Sequence, residues 1–267
     1  MKQKLFIIAI GTIPIGFIVK NQKMGMLIQK RYQGYIKSIS PVLQLTCSFS
    51  ISNKFSVSEE VGLTQYQKNT WHAQRKDFSG IWNLSYGDVC MRPSIYTFDA
   101  FIRVVYSVYM LNTTGILLHS SCVVIDGKAY LFIGPSGSGK TTAARNANGC
   151  LILNDEICAV VLNSIKKSVY VRGTPFWGEM GTGPVTDNSY PLQGLYFLRK
   201  NSFSRLKNLS NNVTLQKILR CVCMYGDNTI IQQDILDICI KIVKYTHGFL
   251  LDFENNSNFL KTICQND

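Results

Sequence analysis

The chain is poor in charge, and poorest in acid. Charged residues make up 16% of its 267 positions, below the roughly 25% of an average soluble protein. Only 16 are Asp or Glu, against 28 Lys or Arg, which leaves a net charge of +12. This deficit of acid points to a polyanionic partner such as a nucleotide phosphate, nucleic acid or an acidic peptide, or equally to basic residues spread along the chain that keep it soluble. No five basic residues stand together, so the nucleic-acid tail that such a run would mark is absent. Histidine occurs only three times and no Cys-x-x-Cys is present, which removes the usual spacing of a zinc or dithiol site. There is no internal repeat and no low-complexity tract, so solenoids and disordered linkers are excluded. What remains is 46% hydrophobic, enough for a real core in one large or two small domains. The nine cysteines are odd in number and most lie in apolar runs. They read as reduced core thiols of a cytoplasmic protein.

One apolar run needs a decision. Residues 5–19 read LFIIAIGTIPIGFIV between lysines, the length and flanking charge of a signal-peptide core. The run is short for a membrane span of about 20 residues. Gly11 and Pro14 punctuate it where a turn would fall, so a β-hairpin of 5–10 and 15–19 is the preferred reading. No membrane association is expected. A short helix over 24–38, strands at 42–50 and 81–90 and a polar loop at 53–79 complete a small α+β region over 1–95.

The second region, 96–267, begins with a helix that Thr97 can cap and Gly115 can end. Phe98, Phe101, Ile102, Val105, Val108 and Tyr109 give it an apolar face at helical spacing. Two strands follow, 116–125 and 129–133, joined by Asp126-Gly127, a strong short-range hairpin signal. Pairing Ile125 with Lys128 places His119 opposite Gly134, at the start of the next feature. Further on, strands are expected at 151–155, 159–172, 195–198 and 249–253. Residues 173–191 read as a loop. Helices are expected around Leu215, Ile218, Leu219 and Val222 and over 229–245. The mixed order argues for an α/β or α+β core.

Residues 134–141 read Gly134-Pro135-Ser136-Gly137-Ser138-Gly139-Lys140-Thr141, the G-x-x-x-x-G-K-[ST] phosphate loop without departure. Its glycines let backbone N–H groups turn inward around an anion. The helix that follows turns its positive end toward the phosphates. Lys140 neutralises the β- and γ-phosphates, Thr141 can ligate Mg²⁺, and Thr142 extends the binding run. ATP and Mg²⁺ are therefore expected. An apolar strand ends in Asn154-Asp155-Glu156, where a carboxylate can complete the metal site. Asp155 and Glu156 are the candidates. Only 15 residues separate Lys140 from Asp155, room for a short helix alone. A tight hairpin just upstream of the loop is also unlike a standard βαβ feed.

The stretch LLHSSCVVIDGKAYLFIGPSGSGKTT…LILNDE resembles the catalytic core of HPr kinase/phosphorylase, whose architecture ATP-dependent phosphoenolpyruvate carboxykinase shares. The likeness covers about 98–180 and is nearest to the HPr-kinase-like proteins of peptide-modification systems. It implies a phosphate-loop core of the HPr kinase C-terminal-domain type with a smaller α+β N-terminal part. It implies Lys140 and Thr141 on phosphates and Mg²⁺, His119 near the transferred phosphoryl group, and Asp155 as metal ligand or base. The first member of the acidic pair is either Asn154 or Asp155. Arg172-Gly173 matches part of a signature in which an acidic residue stands where this chain has Tyr170. Glu179 is a further acidic candidate. The resulting expectation is an Mg-ATP-dependent kinase acting on a serine-type hydroxyl of a peptide or protein, with the oligomeric state left open. The alternatives are a nucleotide-binding recognition module without transfer, and a small-molecule kinase.

Overall fold

The computed structural model describes residues 3–51, 55–67, 69–147, 149–181, 183 and 188–264. Contacts divide the chain into two units, 1–109 with 224–232, and 110–223 with 233–267.

The first unit is a sheet with a buried helix against it. The 5–19 run is a hairpin, β1 (Lys4–Ile10) and β2 (Ile13–Val19), turning at Gly11 with φ +61°. Helix α1 (Gln22–Tyr32) follows, capped by the Asn21 side chain, which accepts from the Met24 N–H. It stops well short of residue 38. The Tyr35 amide instead donates to the Tyr32 carbonyl, its carbonyl accepts from the Ala9 amide of β1, and Ile36 bridges Ile8. β3 is Leu43–Phe49. The expected polar loop at 53–79 is wrong. It holds β4 (Gly62–Gln67), β5 (Thr70–Arg75) and the start of β6 (Phe78–Trp82). Leu63, Trp71, Ala73 and Phe78 point into the core while Thr64, His72 and Ser79 alternate with them outward. The polar half of that alternation masked the strands. The single strand expected at 81–90 is also two, β6 and β7 (Tyr86–Met91), because Asn83 turns the chain by accepting from the Ser85 and Tyr86 amides. The sheet order is β1-β2-β3-β7-β6-β5-β4.

Helix α2 (Ile95–Asn112) lays Phe98 and Phe101 on that sheet. Their rings meet Phe17 and Phe78 edge to face at 5.1 and 5.4 Å. The cap is Ser94, whose Oγ accepts from the Tyr96 N–H. Thr97 lies inside the first turn and its hydroxyl donates to Asp77 at 2.7 Å. The buried carboxylate of Asp99 takes Tyr32 Oη and Arg103. Gly115 does not end the helix. Thr114, with φ +54°, makes the left-handed turn, and Gly115 opens the next strand.

The second unit is built on β8 (Gly115–Ile125), the longest apolar strand beside β9 (Lys128–Ile133). The Asp126-Gly127 turn is formed and the register runs from Ile125↔Lys128 to Ser120↔Ile133. After the glycine-rich loop come α3 (Lys140–Asn146), β10 (Leu151–Asn154), β11 (Ile157–Asn163) and β12 (Ser168–Arg172). The stretch expected as one β segment is thus a hairpin, turned at Lys167 with φ +49°. β13 (Tyr190–Lys200), β14 (Arg205–Leu209), α4 (Asn211–Leu219), α5 (Thr229–Tyr245), β15 (Gly248–Phe253) and α6 (Asn258–Cys264) follow. β14 and α6 had no counterpart in the sequence reading. Val222 lies beyond α4 and bridges Leu118. Of the expected 173–191 loop, residues 182 and 184–187 lie outside the described residues.

The long strand β8 changes partners midway. Its first half pairs with β11, its second half with β9 and β10. β9, β13 and β15 run parallel, and β14 closes the edge antiparallel to β15. This arrangement is a mixed α/β layer. Ala143, Ala144 and Ala147 of α3 pack with Phe132, Tyr196 and Phe259 in its core. Among the described residues no helix is long and apolar enough to cross a membrane. All nine cysteines are free thiols.

Candidate functional site

The site grows from the end of β9. The chain leaves the sheet at Ile133, loops through 134–139 and enters α3 at Lys140. Gly139 caps that helix with φ +100°, a conformation only glycine holds without strain. A Cβ there would stand 2.6 Å from the Phe253 ring. A Cβ at Gly134 would strike Ser138 Oγ at 2.5 Å. Among the described residues no side chain caps α3, so its first-turn amides keep their hydrogen-bonding capacity.

Lys140 is 7% exposed. Its ammonium donates to the carbonyls of Gly134 and Pro135 at 2.9 and 3.1 Å. Burial pulls its pKa below the usual lysine value, while the charges of Cys221 and Glu156 act the other way. Among the described residues no carboxylate forms an ion pair with it. Ser138 Oγ is buried and has no hydrogen-bond partner among the described residues. A nearly buried cation held only by carbonyls, an orphaned hydroxyl and an uncapped helix start fit a phosphate chain. The residues that could hold Mg²⁺, Thr141 by its hydroxyl and Asp155 and Glu156 by their carboxylates, offer oxygen donors alone, as a hard cation prefers. No cluster of three His, Cys, Asp or Glu side chains is present among the described residues, so substrate oxygens and water would complete the shell.

The structure divides the Asn154-Asp155-Glu156 run by task. Asn154 is fully buried. Its Oδ1 accepts from the amides of Glu156 and Ile157 at 2.7 and 2.8 Å, and its Nδ2 donates to the Thr174 carbonyl at 3.0 Å. It builds the β10–β11 corner. Asp155 is 2% exposed. Oδ1 accepts from the Gly178 amide at 2.8 Å and Oδ2 from the Met180 amide at 3.0 Å. Glu156 is half-buried, its charge reaches Lys140, and its carbonyl accepts from the Ser120 amide at 2.9 Å.

His119 is exposed and pairs with Ile157 of β11, one step beyond the last β8–β9 pair. Its amide donates to the Cys221 carbonyl at 2.7 Å. Glu179 is on the surface, paired with Arg145 at 3.2 Å. Pro135, Ser136 and Gly137 form the exposed lip of the loop, and Thr142 is half-buried in α3. Two residues escaped the sequence reading. Ser121 Oγ, fully buried, donates to the Lys140 carbonyl at 2.8 Å and ties the helix start to β8. Cys221, half-buried, lies within the electrostatic reach of Lys140. A serine following a strand histidine was a signal for the first; nothing local signalled the second.

Comparison with known proteins places the chain. Residues 94–265 match the sequence model of the family described as SynChlorMet cassette protein ScmC. The chain belongs to the ScmC family. The matched span starts at α2 and takes in the whole glycine loop and the 154–156 corner. A 52-residue stretch of this ScmC chain is 50% identical to phosphoenolpyruvate carboxykinase (ATP) of Zea mays. That stretch is 19% of the chain and 8% of the maize enzyme, so the chain spans less than a tenth of that relative's length. Among solved structures, the Hpr(Ser) kinase/phosphatase from Coxiella burnetii aligns over 56% of the ScmC chain and 94% of its own, with 13% identity and a TM-score of 0.30. A likeness that slight transfers no residue roles.

Proposed function

We propose that this ScmC protein is an Mg-ATP-dependent kinase that phosphorylates a serine-type hydroxyl on a peptide or protein. The carrying observation is Lys140, a nearly buried ammonium with no carboxylate partner among the described residues, at the start of a helix whose N-terminus has no side-chain cap. The names of the two relatives above, an ATP-dependent carboxykinase and an HPr(Ser) kinase/phosphatase, are in keeping with it. Neither nucleic acid nor a membrane is needed as a partner, and the reading places the enzyme in the cytoplasm.

In this reading the amides of 136–141 hold the β- and γ-phosphates. Lys140 exchanges its two carbonyl bonds for phosphate oxygens. The bond from the γ-phosphorus to the bridging β-oxygen breaks as the substrate hydroxyl bonds to that phosphorus. The hydroxyl proton passes to a carboxylate of the 155–156 pair, with His119 orienting the nucleophile. Thr141, Asp155 and Glu156 would hold a magnesium ion, which when bound would neutralise charge spread over the phosphates. The rest is positioning, which can supply several kcal/mol of the barrier. Ser121 holds the start of α3 against β8, and Asp155 holds the amides of 178 and 180.

The test is transfer of ³²P from γ-labelled ATP to serine peptides. Lys140→Ala and Asp155→Asn are expected to lose it. Undiminished transfer in Lys140→Ala would end the assignment. One observation favours a second reading. Both Asp155 oxygens already accept amide protons, as suits a nucleotide-binding recognition module without transfer. Tight ATP binding with no turnover toward any hydroxyl peptide would select it.

A further inference from the structure

The first unit carries a lysine-rimmed trough that the proposed chemistry does not use. Two grooves, of about 660 and 720 Å³, meet along the start of α1. One runs from β1 along the outer side of α1, the other from α1 to the end of β3. They share Lys20, Asn21, Gln22 and Met26. Lys4 and Lys30 line the first and Lys23 the second. Among the described residues no Asp or Glu lines either. Lys4 donates to Gln29 Oε1 at 3.1 Å. Among the described residues no carboxylate pairs with Lys20, Lys23 or Lys30. Lys23 even stands in the first turn of α1, where a cation opposes the helix dipole. In a chain with few acids, four lysines thus line one trough, and Asp88, which pairs in register with Thr46 beside the second groove, forms no ion pair with them among the described residues.

The lining between the lysines narrows the occupant. Gln22 and Gln29 of α1 and Gln33 just past its end line the first groove. Side-chain amides both donate and accept, as a peptide backbone requires. A single-stranded nucleic acid would call for aromatic stacking platforms and arginine. Among the described residues Phe49 is the one aromatic along either groove, and arginine lines neither. A membrane surface would call for several protruding apolar side chains. Met26, 61% exposed, is the one large apolar side chain that α1 presents to water. We infer that this trough docks an acidic segment of the peptide or protein substrate. The inference rests on the reading of the substrate as a peptide or protein, and it adds a recognition surface that lies wholly in the first unit. Glutamates and aspartates of the segment pair with the lysines while the glutamines bond its backbone. Such pairs act chiefly on capture rate and selectivity and weaken with salt.

Fluorescence anisotropy on the full chain, without ATP, tests it. The probe is a fluorescein-labelled dodecapeptide alternating glutamate and serine, with a lysine-for-glutamate version as control. The expected result is binding of the acidic peptide alone, weakened about tenfold between 50 and 300 mM NaCl. In a Lys20→Glu/Lys23→Glu/Lys30→Glu variant it should fall at least about tenfold. The three side chains reach solvent, and glutamate at position 23 suits the helix dipole, so the variant should keep its melting temperature and its ATP affinity. The inference fails if the acidic peptide does not bind, or binds the variant equally. Tighter binding to a dT12 oligonucleotide or to phosphatidylglycerol vesicles than to the peptide overturns it too. Because ATP is absent, none of these outcomes bears on phosphoryl transfer, and loss of transfer in Lys140→Ala bears on none of them.

Discussion

Replacing Asn154 by aspartate would complete a double acid at the strand end, and it should damage the protein. The amide of Asn154 is fully buried and uses both ends. Its oxygen serves two amides and its nitrogen donates to the Thr174 carbonyl. Aspartate keeps the acceptor and turns the donor into a second oxygen facing a carbonyl at about 3 Å. An uncompensated buried charge of this kind costs about 3–5 kcal/mol, offset in part by the two amides that would bind it. A net loss of about 3 kcal/mol is expected at pH 7. Asn154→Ala should lose about 2–4 kcal/mol, because the Ile157 amide is left without a partner in the core. Urea unfolding of both variants measures this. A protonated aspartic acid can donate again to Thr174. The mutant carboxyl is disfavoured in its charged form, so its folded-state pKa is raised and the cost appears only above the unfolded value. The Asn154→Asp deficit should therefore shrink as pH falls toward about 4 and be absent below it, whereas the alanine deficit should not. If both variants match the wild type within about 0.5 kcal/mol, the scale of a neutral surface change, the corner described above is wrong.

Three further outcomes follow from the same geometry. Gly139→Ala forces a Cβ against the Phe253 ring at φ +100°, so strain of about 1–2 kcal/mol and at least tenfold weaker ATP binding by calorimetry are expected; unchanged affinity would refute the loop geometry. Ser121→Ala removes the bond to the Lys140 carbonyl and should lower stability by about 1 kcal/mol, with weaker ATP binding beside it; an unchanged urea midpoint would count against the tie. The Asp252 carboxyl is held below its ordinary pKa chiefly by its hydrogen bond from Arg199. That stabilisation is present above about pH 4 and lost as pH falls through the lower folded value, so Asp252→Asn should be less stable than wild type at pH 7 and equal to it near pH 2; a gap independent of pH would contradict the pairing.

Strong local signals carried most of what could be read from the residues alone. Asp126-Gly127 set the β8–β9 register to the residue, and Gly11 with Pro14 marked the first hairpin. The phosphate loop was visible because its backbone needs glycine at fixed places. What escaped was set by tertiary packing. β4, β5 and β6 alternate Leu63, Trp71, Ala73 and Phe78 with polar residues facing the other way, and their mean polarity read as loop. Thr97 looked like a cap, yet its hydroxyl bonds Asp77, 20 positions earlier. The division of labour at 154–156 depends on Thr174, Gly178 and Met180, about two dozen residues downstream. No spacing rule connects those positions. Cys221 came to the loop through the bridge of Val222 to Leu118 and the His119 amide, equally beyond local reading.

The most direct measurement is a crystal structure of the protein with Mg²⁺ and a non-hydrolysable ATP analogue. The triphosphate should lie along the amides of 136–141, with Lys140 Nζ moved from the Gly134 and Pro135 carbonyls onto phosphate oxygens. Magnesium should sit between Thr141 Oγ1 and a carboxylate of Asp155 or Glu156. A nucleotide bound elsewhere, or Lys140 still on its own loop carbonyls beside a bound analogue, would contradict the account.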